Sequence, residues 1–318
     1  MKKTNIVIIG AGFAGVYATK KLSKYFKGNK DISITLIDKH SYFTYLTELH
    51  EVAAERVPED AIQYDLQRLF FNQKNVHLIT DNIKSIDYNS KTVIGANGNY
   101  PYNYVILGIG SEPNDFGTPG VKEYGYTLGS WEQAIQLKNH IRSVIQQGSI
   151  THDKEKRAAL LSIAVVGSGF TGTETIGEIC DWKDVLAKEY KINPEEIKLT
   201  LIEMAPTIMN MLDRKDAEKA ERYMKGRGVR IMKSTGVVGV REDDLEKALQ
   251  IQLKINDLIS ELTSFKGNLY DVMKLILAKR GVSVGRARNP LPHAEDDEMD
   301  HVEVVRQHID DAIAEFTK

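Results

Sequence analysis

Two glycine loops carry most of the chemistry legible in this chain. The first is Gly10-Ala11-Gly12-Phe13-Ala14-Gly15, directly after the apolar run Ile6-Val7-Ile8-Ile9. The second is Gly167-Ser168-Gly169-Phe170-Thr171-Gly172, directly after Ile163-Ala164-Val165-Val166. Each places G-x-G-x-x-G between a strand-like run and a helical pattern, the fingerprint of a dinucleotide cradle. Phosphate chemistry explains the residue types. A helix N-terminus offers a pyrophosphate its unpaired N–H groups and the positive end of its dipole. The first glycine makes the tight turn, the second lets phosphate reach the backbone, and the third lets helix and strand pack closely. Gly10, Gly12 and Gly15 take these roles in the first loop, and Gly167, Gly169 and Gly172 in the second. Two cradles in one chain imply two dinucleotides held at once, and electron transfer between them.

Each cradle needs a second strand whose terminal acid bonds the ribose hydroxyls. Ile34-Thr35-Leu36-Ile37-Asp38 supplies it for the first loop and Leu199-Thr200-Leu201-Ile202-Glu203 for the second. Asp38 lies 23 residues after Gly15, close to the usual spacing of about 20. Glu203 lies 31 residues after Gly172. That longer interval predicts an extra helical turn or two, from residues 184–190 and the restart Asn193-Pro194-Glu195-Glu196. A carboxylate at Glu203 repels a 2′-phosphate, which favours NADH over NADPH.

The elements that position these residues need two domains, and 318 residues allow two. A hydrophobic content of 42% and a charged content of 27% are those of a globular protein. The net charge of −2 gives no basis for a nucleic-acid partner, and no metal site is expected. No apolar run reaches membrane-spanning length, and no signal peptide is expected, since Met1-Lys2-Lys3 leads straight into the first strand. With the single cysteine, Cys180, these features predict a cytoplasmic protein. Flavin-dependent disulfide reductases need two cysteines near the first nucleotide, and residues 38–57 hold none. Cys180 itself reads as a buried, inert thiol.

These segments together resemble the type II NADH:quinone oxidoreductases, single-subunit flavoproteins with two Rossmann domains that lie peripheral to the membrane. The resemblance runs from Asn5 to about Glu242. Beyond both loops it rests on Asp38-Lys39-His40-Ser41-Tyr42-Phe43-Thr44-Tyr45-Leu46-Thr47-Glu48-Leu49-His50-Glu51, similar to the family's flavin-contacting stretch. It rests also on Tyr104-Val105-Ile106-Leu107-Gly108-Ile109-Gly110, which stands where the family leaves its first domain. There Gly108-Ile109-Gly110 replaces the usual Ala-Thr-Gly, and Gly117-Thr118-Pro119-Gly120-Val121 matches the crossing that follows. The resemblance implies FAD on the first loop and NADH on the second, with hydride passing from nicotinamide to flavin and on to a quinone. It makes Lys39, Thr47, Gly108 and Gly110 cofactor-binding, beside the residues of both loops, Asp38 and Glu203. It makes Glu174 the candidate catalytic residue, near flavin and nicotinamide. The plainer reading of Glu174 is a first-turn acid that favours the helix dipole, and both remain open. Tyr42, Phe43 and Tyr45 either line the flavin ring or pack the loop.

The pattern changes after residue 242. The glycine-aspartate motif that holds the flavin's ribityl chain in that family does not follow. Helical periodicity takes over, with apolar residues at helical spacing in 245–265, 269–277 and 299–316. From Arg241 onward 11 lysines and arginines face 16 aspartates and glutamates. This stretch resembles the C-terminal helices of the dihydrodipicolinate synthase and N-acetylneuraminate lyase family, through Leu245-Glu246-Lys247-Ala248-Leu249-Gln250, Gly267-Asn268-Leu269-Tyr270 and Gly285-Arg286-Ala287-Arg288-Asn289-Pro290. That family's Schiff-base lysine belongs to upstream strands, so no aldolase chemistry carries over. The extended segment with Arg286 and Arg288 suits either an anion or solvent.

The expected architecture is α/β. An FAD-binding Rossmann-like domain spans 1–115, a truncated NADH-binding one spans 116–242, and a helical tail spans 243–318. The competing reading is a catalytically inactive composite that binds dinucleotides but lacks part of the FAD site. By resemblance the protein touches the inner face of the cell membrane, although the family's C-terminal anchor is not seen in the sequence.

Overall fold

The apolar run before the first glycine loop is buried on both faces, as the central strand of a parallel sheet must be. In the computed structural model, which describes residues 3–241, this run is β1 (Thr4–Ile9). Its side chains alternate between two cores. Ile6 and Ile8 join Ile34 and Leu36 on one face, while Val7 and Ile9 join Ile37, Val93 and Tyr102 on the other. The helix α1 (Phe13–Tyr25) covers the first face through Val16 and leads into β2 (Ile32–Asp38). β1 and β2 pair in parallel register, Ile6 opposite Ile34 and Ile9 opposite Ile37. That is one right-handed βαβ unit by the usual rule for such crossovers.

Between β2 and the next sheet strand the chain makes a small detour. β3 (Tyr42–Thr44) and β4 (Gln63–Asp65) pair antiparallel and flank α2 (Leu49–Ala53), and α3 (Leu66–Leu69) follows. β5 (Val76–Thr80) then joins the sheet beside β2. A meander of β6 (Ile83–Asp87), β7 (Thr92–Gly95) and β8 (Asn99–Pro101) covers the second face, and β9 (Tyr104–Leu107) completes the order β5-β2-β1-β9. Asp81 pins the meander. Its carboxylate accepts from the Tyr100 hydroxyl at 2.6 Å and from the amides of Ala96 and Asn97.

The short helix α4 (Val121–Tyr124) follows the glycine-proline crossing. α5 (Trp131–Ile150) and α6 (Lys154–Leu160) come next, their N-termini capped by Ser130 and Asp153. A second βαβ unit follows: β10 (Ser162–Val166), α7 (Phe170–Tyr190) and β11 (Lys198–Ile202). α8 (Arg214–Gly226) and β12 (Val229–Met232) extend it to the parallel order β10-β11-β12. The core lies between these strands and α5, with Ile141, Ile176, Leu186 and Leu201 fully buried. α7 has 21 residues against 13 in α1. That excess of eight is the whole difference between the two glycine-to-acid intervals, so the expected extra turns are there. Asn193 closes a capping box with Glu196 over the short turn before β11.

After β12 the chain returns to the crossing, where the Val240 amide donates to the Pro119 carbonyl at 2.9 Å. The fold is therefore α/β, with two Rossmann-like units. Among the described residues no helix is long and apolar enough to cross a membrane. The helical tail expected over 243–318, with Arg286 and Arg288, lies outside the described residues.

Candidate functional site

Both glycine loops are built alike. Gly10 and Gly167 turn the chain out of their strands with φ of +95° and +90°, a region closed to most side chains. Gly12 and Gly169 are the N-cap residues of α1 and α7, and no side chain caps either helix. A Cβ at Gly12 or Gly169 would meet nothing within 4 Å, so the approach to both N-termini is open. A Cβ at Gly15 would collide with the Gly10 carbonyl, and one at Gly172 with the Gly167 carbonyl. Two uncapped helix starts, each with an open approach, fit a pyrophosphate.

The acids brace the loops. Asp38 Oδ2 accepts from the Ala11 amide at 2.6 Å, and its Oδ1 accepts from the His40 amide at 2.8 Å. Glu203 Oε2 accepts from both the Ser168 amide at 2.7 Å and the Ser168 hydroxyl at 2.6 Å. Its Oε1 accepts from the Ala205 amide at 2.7 Å. Burial works against the charge on Glu203, but the bonds from Ser168 and Ala205 outweigh it and hold its carboxyl below the usual range. A carboxylate has about four lone-pair sites, so the two bonds on Asp38 leave capacity for ribose hydroxyls.

The other candidates fall into three groups. Gly108 supports the first loop: its amide donates to the Ile9 carbonyl at 2.7 Å, and a Cβ on Gly10 would strike the Gly108 carbonyl. Gly110, with φ +76°, has open space around it. Phe13, Ala14, Phe170 and Thr171 are exposed beside the two loops, and Lys39 is exposed after Asp38. Thr47 is exposed in the 3-10 turn Leu46–Glu48, just before α2. Phe43 is buried, and Phe13 packs edge-on against Phe43 and Tyr45 at 5.1 and 5.2 Å, while Tyr42 stacks on His40. These aromatic contacts favour loop packing.

Glu174 is the fifth residue of α7, and the first turn of that helix holds no acid. The helix-dipole reading therefore fails, because that effect fades beyond the first turn. Instead its Oε2 lies 3.7 Å from His50 Nδ1, on α2. The structure thus brings Glu174 to the helix that follows the Thr47 turn. Cys180 is buried, and burial pushes its thiol up, which agrees with an inert role. Sequence reasoning missed His50 and the Ser168 hydroxyl. A hydroxyl residue between the first two glycines was a usable signal for Ser168, and nothing in the spacing marked His50.

The fold and the two cradles define a protein built to hold two dinucleotides. Residues 4–268 match the sequence pattern of the family described as pyridine nucleotide-disulphide oxidoreductase, and the chain belongs to that family. FAD and NADH are the cofactors this family uses. The type II NADH:quinone oxidoreductase of Staphylococcus haemolyticus is 29% identical over 260 residues, covering 82% of this chain and 62% of that protein. The enzyme of the same name from Staphylococcus aureus is 29% identical over 240 residues, covering 76% and 59%. This chain thus spans about three fifths of the length of the curated relatives it matches. NDH2 of Plasmodium falciparum, solved in complex with NADH, superposes with a TM-score of 0.68 at 19% identity, covering 76% of this chain and 50% of that one. The sulfide:quinone oxidoreductase of Aquifex aeolicus superposes at 0.58 and 18%, covering 76% and 53%. At these identities the likeness is one of fold.

Proposed function

We propose that this chain is an FAD-dependent NADH dehydrogenase that hands its electrons to a quinone. The carrying observation is the pair of acid-braced, uncapped helix N-termini. They supply two cradles, and the family supplies their cofactors. In this reading residues 1–115 hold FAD on Gly10, Gly12 and Gly15, with Asp38 on its ribose. Residues 116–242 hold NADH on Gly167, Gly169 and Gly172, with Glu203 on its ribose.

FAD held there would supply the hydride and electron-transfer chemistry. The chain's own residues bind and orient. α1 and α7 direct their N–H groups at phosphates, and the anionic Glu203 selects a free 2′-hydroxyl over a 2′-phosphate. In this reading Thr47 and Gly110 would contact the flavin, and Glu174 would lie near both the nicotinamide and the flavin. A membrane quinone as acceptor would bring the protein to the inner membrane face.

The visible spectrum of the purified protein tests this. Absorbance near 450 nm (an order-of-magnitude expectation for any flavoprotein), bleached by NADH and restored by a soluble quinone, is the expected result. A colourless protein, or one whose colour survives NADH, overturns it.

A further inference from the structure

Glu174 and His50 come from different nucleotide-binding units, 124 residues apart in sequence. The histidine is the anchored member: its side chain is 14% exposed against 46% for Glu174. α2 cannot shift easily, because Leu49, Val52 and Ala53 are buried in a core shared with Ala134 of α5. One helical turn beyond Glu174, Glu178 pairs with Arg56 of the segment after α2. This second contact fixes the register of α7 on that segment. Among the described residues, His50 clusters with Glu51 and Glu178 and meets Glu174 through Nδ1, while Arg56 pairs with Glu178. The polar side chain within reach of the Glu174 carboxylate, among the described residues, is His50.

We propose that His50 is a positioning residue, which aims the Glu174 carboxylate at the nicotinamide held on the second loop. This rests on the function proposed above. A half-exposed glutamate loses rotamer freedom when a ligand orders it. A partner already in place removes that cost from binding. The arrangement also makes the first unit contribute to the nicotinamide end of the second site, while the phosphate end depends on the loop and Glu203.

The test is a double-mutant cycle read with two probes, NAD+ and ADP-ribose, which lacks the nicotinamide. Calorimetric titration of His50→Ala and Glu174→Gln is expected to show each weakening NAD+ by about two- to five-fold, the range of a partly exposed polar contact. ADP-ribose binds all variants equally. The double variant binds NAD+ no more weakly than Glu174→Gln alone. His50→Asn, whose amide nitrogen falls near the position of Nδ1, recovers most of the affinity. If His50→Ala does not fold, His50→Gln takes its place in the cycle.

Equal weakening of ADP-ribose, multiplying losses in the double variant, or no loss from His50→Ala would each overturn the proposal. Arg142→Ala breaks a contact between the same segment and the far end of α7, through Glu55 and Glu189. It is expected to leave NAD+ affinity unchanged, and a loss equal to that of His50→Ala would reduce His50 to a structural tie. If the unaltered protein binds neither probe, the proposed function itself fails. Binding of both with an additive cycle sinks only the role of His50.

Discussion

Glu203 holds Ser168 twice: one carboxylate oxygen accepts from the serine amide at 2.7 Å and from its hydroxyl at 2.6 Å. The strand-end acid is therefore a brace of the glycine loop before any ribose reaches it. Asp38 does the same for the first loop through the Ala11 amide alone, since alanine has no hydroxyl. A loop whose shape is set in advance loses less freedom when a pyrophosphate binds.

Removing that brace has a calculable direction. Glu203→Gln loses a charged acceptor, a change of about 1.5–3 kcal/mol. NADH affinity should fall by about tenfold or more, with flavin content unchanged, and the ratio of NADPH to NADH affinity should rise. Because the carboxyl of Glu203 lies below the usual range, its contribution is present above ordinary carboxylate values and disappears only as pH falls through the depressed one. Binding titrations with both nucleotides, repeated on the acid side, check each part.

The loop glycines separate binding from folding. A side chain at Gly12 or Gly169 projects into open space, so valine there should leave the melting temperature of the flavin-free protein nearly unchanged. Gly12→Val is expected to abolish flavin retention, and Gly169→Val to keep flavin but destroy NADH oxidation. Gly15→Ala and Gly172→Ala instead drive a Cβ into a backbone carbonyl. They should cost about 1–3 kcal/mol of stability, seen in thermal melts of the protein without added nucleotide.

Tyr100 should ionise late. Its hydrogen bond to Asp81, with burial second, pushes the phenol up to about 12. A raised value means that the folded state favours the protonated phenol. The stabilisation is complete below the free tyrosine value of about 10 and is lost as pH rises towards the shifted one. Absorbance at alkaline pH should show a late tyrosine component that Tyr100→Phe removes. If every tyrosine titrates together, the meander is not pinned through this contact.

Cys180 offers a simple negative control. Buried, and with its thiol pushed up, it should resist thiol reagents in the native protein and react stoichiometrically after denaturation. Fast native labelling would show that the core around α7 opens.

Much of the cofactor framework was legible in the residues themselves. The loops, the strand-end acids and the longer α7 follow from local rules, because a G-x-G-x-x-G turn and an acid at a strand end are fixed by the backbone they need. The meander around Asp81, the α2 segment and its contacts with α5 and α7 were not anticipated. Their strands and helices are short, and tertiary partners rather than periodicity hold them in place.

Sequence by itself determined the two glycine loops and the strand-end acid that follows each, since these rest on a strand-turn-helix-strand pattern within one stretch of chain. Tertiary structure decided what those residues touch. It turned Asp38 and Glu203 into braces, made Gly108 a support for the first loop, and set Glu174 beyond the first turn of α7 and beside His50. These contacts join groups from 27 to 124 residues apart. The spacing rule placed the acids but not the atoms they bond, and the longest of these contacts forms only when the cores of both units close.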